Sequence, residues 1–205
     1  PLPRNMVIHR LPGGGLWIHS AIAVDEECLA TIESFGPPTV LVVPNRFHRL
    51  DATVWKERYP ELFVLCPEQA RNHIEKVIVA EDTCEAQAKA MGIPCGVPPG
   101  CKPYELFYEV PVEGGVALVV SDAFFNIPEH LSGMPGFFLR YVTQSTGPFG
   151  MSRAGRWLML KNGAKLRDWL MDLSRRDDIR MILVGHGAPV VEDVSLRLRE
   201  AAGRL

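Results

Sequence analysis

Three short apolar runs in this 205-residue chain each stop at side chains that bind cations or move protons. Met181-Ile182-Leu183-Val184 runs into Gly185-His186-Gly187, Val116-Ala117-Leu118-Val119-Val120 into Ser121-Asp122, and Thr39-Val40-Leu41-Val42-Val43 into Pro44-Asn45-Arg46-Phe47-His48-Arg49-Leu50-Asp51. Imidazole and carboxylate are the donor set for Zn²⁺, Fe or Mn²⁺, and such an ion activates water near neutral pH. The predicted metal ligands are therefore His48, Asp51, Asp122 and His186, with Asp51 and Asp122 also carrying the acid–base work. The glycines around His186 allow φ > 0 and close approach of the backbone to a ligand.

Such residues need elements that hold them at one place. Apolar runs of this length, bounded by Gly or Pro, read as strands covered on both faces rather than as buried helices. Open α/β sheets do their chemistry just beyond the carboxyl ends of strands, which is where all three runs deliver their polar residues. Met6 to Leu11 and Leu16 to Ser20 flank Pro12-Gly13-Gly14-Gly15, the pattern of a hairpin, and place His9 and His19 in strands as ordinary half-buried residues. Asp25 caps a helix running to Phe35, with Glu26 and Glu27 in its first turn. A helical pattern spans Leu50 to Arg58, and Leu62 to Cys66 repeats the buried-strand pattern. Pro67 opens a short helix that exposes His73, and Glu81 to Met91 forms a helix ended by Gly92.

Tyr104 to Val110 alternates, Glu113-Gly114-Gly115 turns, and the chain returns as the strand that ends in Asp122. Residues 127 to 163 show no clear period beyond a short helical stretch from Phe137 to Gln144, and read as an excursion flanking the site. Ala164 to Arg176 and Val191 to Arg204 are amphipathic helices on either side of the strand that ends in His186.

In this order of elements and in its strand endings the chain resembles the metallo-β-lactamase superfamily. The resemblance rests on Gly185-His186-Gly187, on Ser121-Asp122 where the family usually has Gly-Asp, and on the loop after Val43, where the family carries H-x-H-x-D-H. It implies an α/β fold, a four-layer αββα sandwich over residues 1–205 as a single domain, and a metal-dependent hydrolase acting on a small molecule. In the ungapped register the motif reads Arg46, Phe47, His48, Arg49, Leu50, Asp51. Arg46 thus replaces its first His, Leu50 its Asp and Asp51 its last His. The family places a further His before the Asp-bearing strand, whereas here no histidine occurs between His73 and His130. The expected cofactor is thus one zinc, iron or manganese ion rather than a pair, or none. In the metal-free alternative the chain is a non-catalytic binding module in which Arg46 and Arg49 occupy the cation's place and hold an anion.

Composition narrows the partners. A net charge of −2 with mixed signs offers no basic face for nucleic acid and no polybasic membrane anchor, which leaves a small-molecule ligand. The five cysteines form no C-x-x-C pair, and neither an 18-residue apolar run nor a charged-then-apolar leader appears, so a reducing, cytoplasmic setting is expected.

Overall fold

The computed structural model describes residues 3–127 and 147–205, which form two compact units. One comprises Asn5–Ile93; the other comprises Pro94–Leu205 with Pro3 and Arg4.

The first unit is built on a five-stranded sheet ordered β1-β2-β3-β4-β5. Strands β1 (Val7–Arg10) and β2 (Leu16–His19) form the antiparallel hairpin that the glycine turn predicts. Strands β3 (Pro38–Val42), β4 (Phe63–Cys66) and β5 (Asp82–Thr83) then add in parallel. Parallel neighbours require crossovers, supplied by α1 (Glu26–Phe35) and α2 (Ala52–Arg58), and by a 3₁₀ turn at Glu68–Ala70 leading into α3 (Arg71–Ile74). The Asp25 carboxylate accepts from the Cys28 N–H at 2.9 Å, the cap expected of it. Leu29 and Ile32 of α1, Leu41 and Val43 around β3, Val64 of β4 and Trp55 of α2 share one apolar core.

Helix α4 (Cys84–Met91) starts later than its composition predicts. Asp82 and Thr83 pair with Leu65 and Cys66, so the sheet takes the first residues of the expected helix, and the Thr83 hydroxyl becomes its cap.

The second unit carries a four-stranded sheet ordered β11-β8-β7-β6, made of β6 (Cys95–Gly96), β7 (Phe107–Val112), β8 (Gly115–Val120) and β11 (Ile179–Val184). β7 and β8 are the predicted hairpin, and β11 lies parallel to β8, with Ile182 opposite Leu118 and Val184 opposite Val120. This parallel pairing makes β8 and β11 end side by side. Helices α6 (Gly163–Leu173) and α7 (Val194–Gly203) bury Leu166, Leu170, Leu173, Leu198 and Ala202 against Leu118 and Ile182. Asn162, whose Oδ1 accepts from the Lys165 N–H at 3.0 Å, begins α6.

Three described elements that the sequence does not announce lie in or at the edge of the stretch without a clear period: β9 (Phe125–Ile127), β10 (Gly147–Gly150) and α5 (Arg153–Met159). β9 and β10 pair with each other, and the Ser152 hydroxyl caps α5 by accepting from the Gly155 N–H at 2.9 Å. The helical stretch expected from Phe137 to Gln144 lies outside the described residues. Among the described residues no helix is long and apolar enough to cross a membrane.

Candidate metal centre

The two glycines around His186 are dictated by what lies beside them. A Cβ on Gly187 would stand 1.9 Å from the carbonyl oxygen of Asn126, and the residue has φ 97°, so only glycine fits. A Cβ on Gly185 would press on Ser121 at 3.3 Å. The close approach lets the loop after β11 bond to the start of β9. The Asn126 N–H donates to the His186 carbonyl at 3.2 Å and the Ala188 N–H to the Asn126 carbonyl at 2.7 Å. The Asn126 side-chain amide donates to the Ala188 carbonyl at 2.8 Å. Backbone bonds therefore tie β9, which follows the turn after β8, to the loop after β11.

This arrangement delivers Asp122 to His186. Oδ1 of Asp122 lies 2.9 Å from Nε2 of the buried His186 ring, and the Pro3 carbonyl oxygen lies 2.9 Å from Nδ1. Phe125 stacks on the ring, with centroids 5.1 Å apart and planes 11° from parallel. A carbonyl only accepts, so Nδ1 carries a proton, and the lone pair of Nε2 then faces a carboxylate oxygen. Two Lewis bases at 2.9 Å need a cation shared between them, either a second ring proton or a metal ion. A histidine whose remote nitrogen donates to a carbonyl has its tautomer and orientation fixed for ligation by the other nitrogen.

The turn that carries Asp122 is held by an acid the sequence does not single out. Glu105 is buried, and its two carboxylate oxygens accept from the backbone N–H groups of Asp122 at 2.9 Å and Ala123 at 2.7 Å. The Cys101 thiol is pushed up to about 12, by burial first and by the negative charge of Glu105 second.

His48 and Asp51 belong to the other unit. Asn45, buried beyond Val43 and Pro44 at the end of β3, folds the loop into an Asx turn, its Oδ1 accepting from the N–H groups of Phe47 at 2.8 Å and His48 at 3.3 Å. The buried His48 ring is oriented by Ser20, whose Oγ lies 2.7 Å from Nδ1. Asp51 precedes α2 without capping it through its side chain, and its Oδ2 accepts from the Ala23 N–H at 3.4 Å. The Arg49 guanidinium donates to the His73 carbonyl, and that of Arg46 lies 4.6 Å from the centroid of the Phe47 ring.

Of the predicted ligands, Asp122 and His186 meet inside one unit, whereas His48 and Asp51 stand in the other, with Ser20 and the Ala23 backbone as partners. The other described histidines, His9, His19 and His73, have other settings. His9 is half-buried, and burial holds its pKa below the usual imidazole value. His19 is fully buried and stacks on Trp17, with ring centroids 5.7 Å apart, and His73 is exposed as expected. Glu105, Ser20 and Asn45 are the polar residues of these two sites that sequence reasoning misses. For Ser20 a signal existed, since it ends a strand as Asp122 does; for Asn45 it was the placement just past β3.

No family model and no curated protein matches this sequence. Solved structures do match. The metallo-β-lactamase FIM-1 from Pseudomonas aeruginosa in its mono-zinc form has a TM-score of 0.60 at 13% identity, over 99% of this chain and 84% of that one. A metallo-β-lactamase from Erythrobacter litoralis, with β-mercaptoethanol in its active site, has a TM-score of 0.63 at 12% identity, over 100% and 87%. One from Pontibacter korlensis has a TM-score of 0.60 at 12% identity, over 100% and 89%. At such identities the likeness concerns the fold, and by it this chain has the metallo-β-lactamase fold.

Proposed function

We propose that this protein is a metal-dependent hydrolase-like protein with a single cation, zinc or else iron or manganese, at Asp122 and His186. In this reading the substrate is a small ester, amide or thioester. The observation that carries the reading is the Asp122–His186 pair, a carboxylate and an imidazole nitrogen 2.9 Å apart at adjoining strand ends, with the far ring nitrogen on a carbonyl. The donor chemistry fits one ion. It does not fit two, because Arg46 and Leu50 stand where the family's motif supplies a His and an Asp.

A bound ion of this kind supplies Lewis acidity and brings water's pKa toward neutrality. The chain's own residues do the rest. The Pro3 carbonyl keeps the proton on Nδ1 of His186, and Phe125 covers one face of the ring. Asn45 and Ser20 set the His48 ring. The metal-free reading, an anion held by Arg46 and Arg49, requires Arg49 to release the His73 carbonyl and Arg46 to leave the face of Phe47.

Thermal melts of the native chain and of His186→Ala, each with Zn²⁺, Mn²⁺ or Fe²⁺, test the proposal. They are paired with a hydrolysis assay on ester, amide and thioester substrates with and without the ion. A metal-dependent shift lost in His186→Ala supports it; no shift with any of the three ions overturns it in favour of the binding module.

A further inference from the structure

Glu105 lies in the loop ahead of β7 with 1% of its surface exposed. Burying a carboxylate is costly unless every acceptor is used, and a lone backbone N–H could be satisfied by a neutral carbonyl or hydroxyl. Here two successive N–H groups, those of Asp122 and Ala123, point at the same side chain at 2.9 and 2.7 Å. Only an ionised carboxylate presents two acceptors and no donor, so the turn after β8 is fitted to an acid and to nothing isosteric with it. Charge-assisted bonds of this kind are short and strong, and they act on the backbone of the very residue whose side chain meets His186.

We propose that Glu105 is the positioning residue for Asp122: by clasping both N–H groups of the turn it fixes where the Asp122 carboxylate points. The assignment rests on the metal-centre reading, since it is for ligation that the direction of Asp122 matters. Glu105→Gln is nearly isosteric but turns one acceptor into a donor, so one N–H faces an NH₂ group and the turn must rotate. The neighbouring Cys101 and the strand pairs of β8 are left as they are.

The experiment compares the wild-type chain, Glu105→Gln and Ile179→Val, the last being a core truncation in β11 that lowers stability without touching the turn. Co²⁺ affinity is measured by competition with a chelator, and the ring ¹⁵N signals of His186 are recorded on metal-free protein. We expect Glu105→Gln to weaken Co²⁺ binding by about 10- to 100-fold, the usual cost of losing an outer partner. The His186 Nε2 signal should move as well, while Ile179→Val melts earlier with both readouts unchanged. Should Glu105→Gln fail to fold, Glu105→Asp keeps both acceptors on a shorter arm and carries the same comparison. Wild-type Co²⁺ binding matched by Glu105→Gln, with an unmoved His186 signal, overturns the proposal and leaves the metal reading standing. A wild type that binds no Co²⁺, with a His186 signal that still moves in Glu105→Gln, supports the positioning role and removes the metal reading. No Co²⁺ binding and an unmoved signal remove both.

Discussion

The Ser20 hydroxyl reaches His48 because its backbone is left-handed. Ser20 has φ 60°, and its Oγ lies 2.7 Å from Nδ1 of His48, both side chains being buried. A non-glycine residue in this region costs about 1–2 kcal/mol, and such strain persists where the surroundings determine it, commonly at functional sites. Ser20→Ala keeps the strain and deletes the bond to the buried His48 ring; the expected loss is about 1–3 kcal/mol. Ser20→Gly also deletes the bond but removes the strain, so it should be more stable than Ser20→Ala by about 1 kcal/mol. Urea unfolding of both variants checks the ordering, and a glycine variant no more stable than the alanine one would contradict the left-handed assignment.

Gly187→Ala is expected to be far more damaging than Gly185→Ala. At Gly187 the new Cβ would fall 1.9 Å from a backbone oxygen, which cannot swing aside, and the φ of 97° is strained for any L side chain. At Gly185 the nearest atoms are those of Ser121 at 3.3 Å, which a shift of a few tenths of an ångström relieves. Expected losses are above about 3 kcal/mol for the first and about 1 kcal/mol for the second. Denaturation midpoints decide it, and equal losses would show that the Asn126–Gly187 contact is not rigid.

Two buried thiols set an alkaline limit on stability. Cys66 and Cys101 are both pushed up to about 12, in each case chiefly by burial. The unfolded thiols ionise near the ordinary value, so between pH about 9 and about 12 the unfolded chain holds fewer protons than the folded one. Stability is then full below the lower value and falls as pH rises toward the upper. Each thiol contributes a slope of up to about 1.4 kcal/mol per pH unit in that window. Cys66→Ala with Cys101→Ala should therefore start less stable but lose stability less steeply above pH about 9. Urea midpoints measured across that range report the slope, and parallel curves would refute the assignment.

What the sequence discloses of this molecule follows from how far apart the deciding residues lie. Asp122 and His186 are legible because each ends a run of buried residues, and parallel pairing of those runs brings the two ends together. Glu105 is not legible. It falls in the alternating stretch from Tyr104 to Val110, where Glu105 and Glu109 read as the wet face of a strand. The strand begins only at Phe107, and Glu105 turns inward from the bend before it. Strands of two to four residues, β5, β9 and β10, leave no room for a period and take their identity from their partners. The shift of α4 to Cys84 has the same origin, because pairing with β4 outweighs the helical preference of Glu81-Asp82.

The Asp122–His186 pair predicts opposite effects of one substitution with and without metal. In chelator, the wild-type carboxylate oxygen and Nε2 of His186 face each other at 2.9 Å. Asp122→Asn offers an amide N–H to that nitrogen instead, a neutral bond that needs no extra charge. The variant should then melt at or above the wild type in chelator. With Zn²⁺ at a hundredfold excess over Kd the wild type gains about 2.7 kcal/mol, roughly 5–10 °C for a chain of this size, and the variant, lacking an anionic ligand, gains far less. Elemental analysis of the wild type should find no more than one equivalent of zinc, since the donors are too few to close two coordination shells. Two tightly held equivalents, or an Asp122→Asn variant that keeps the full metal-dependent shift, would mean that the ion sits on other residues than this pair.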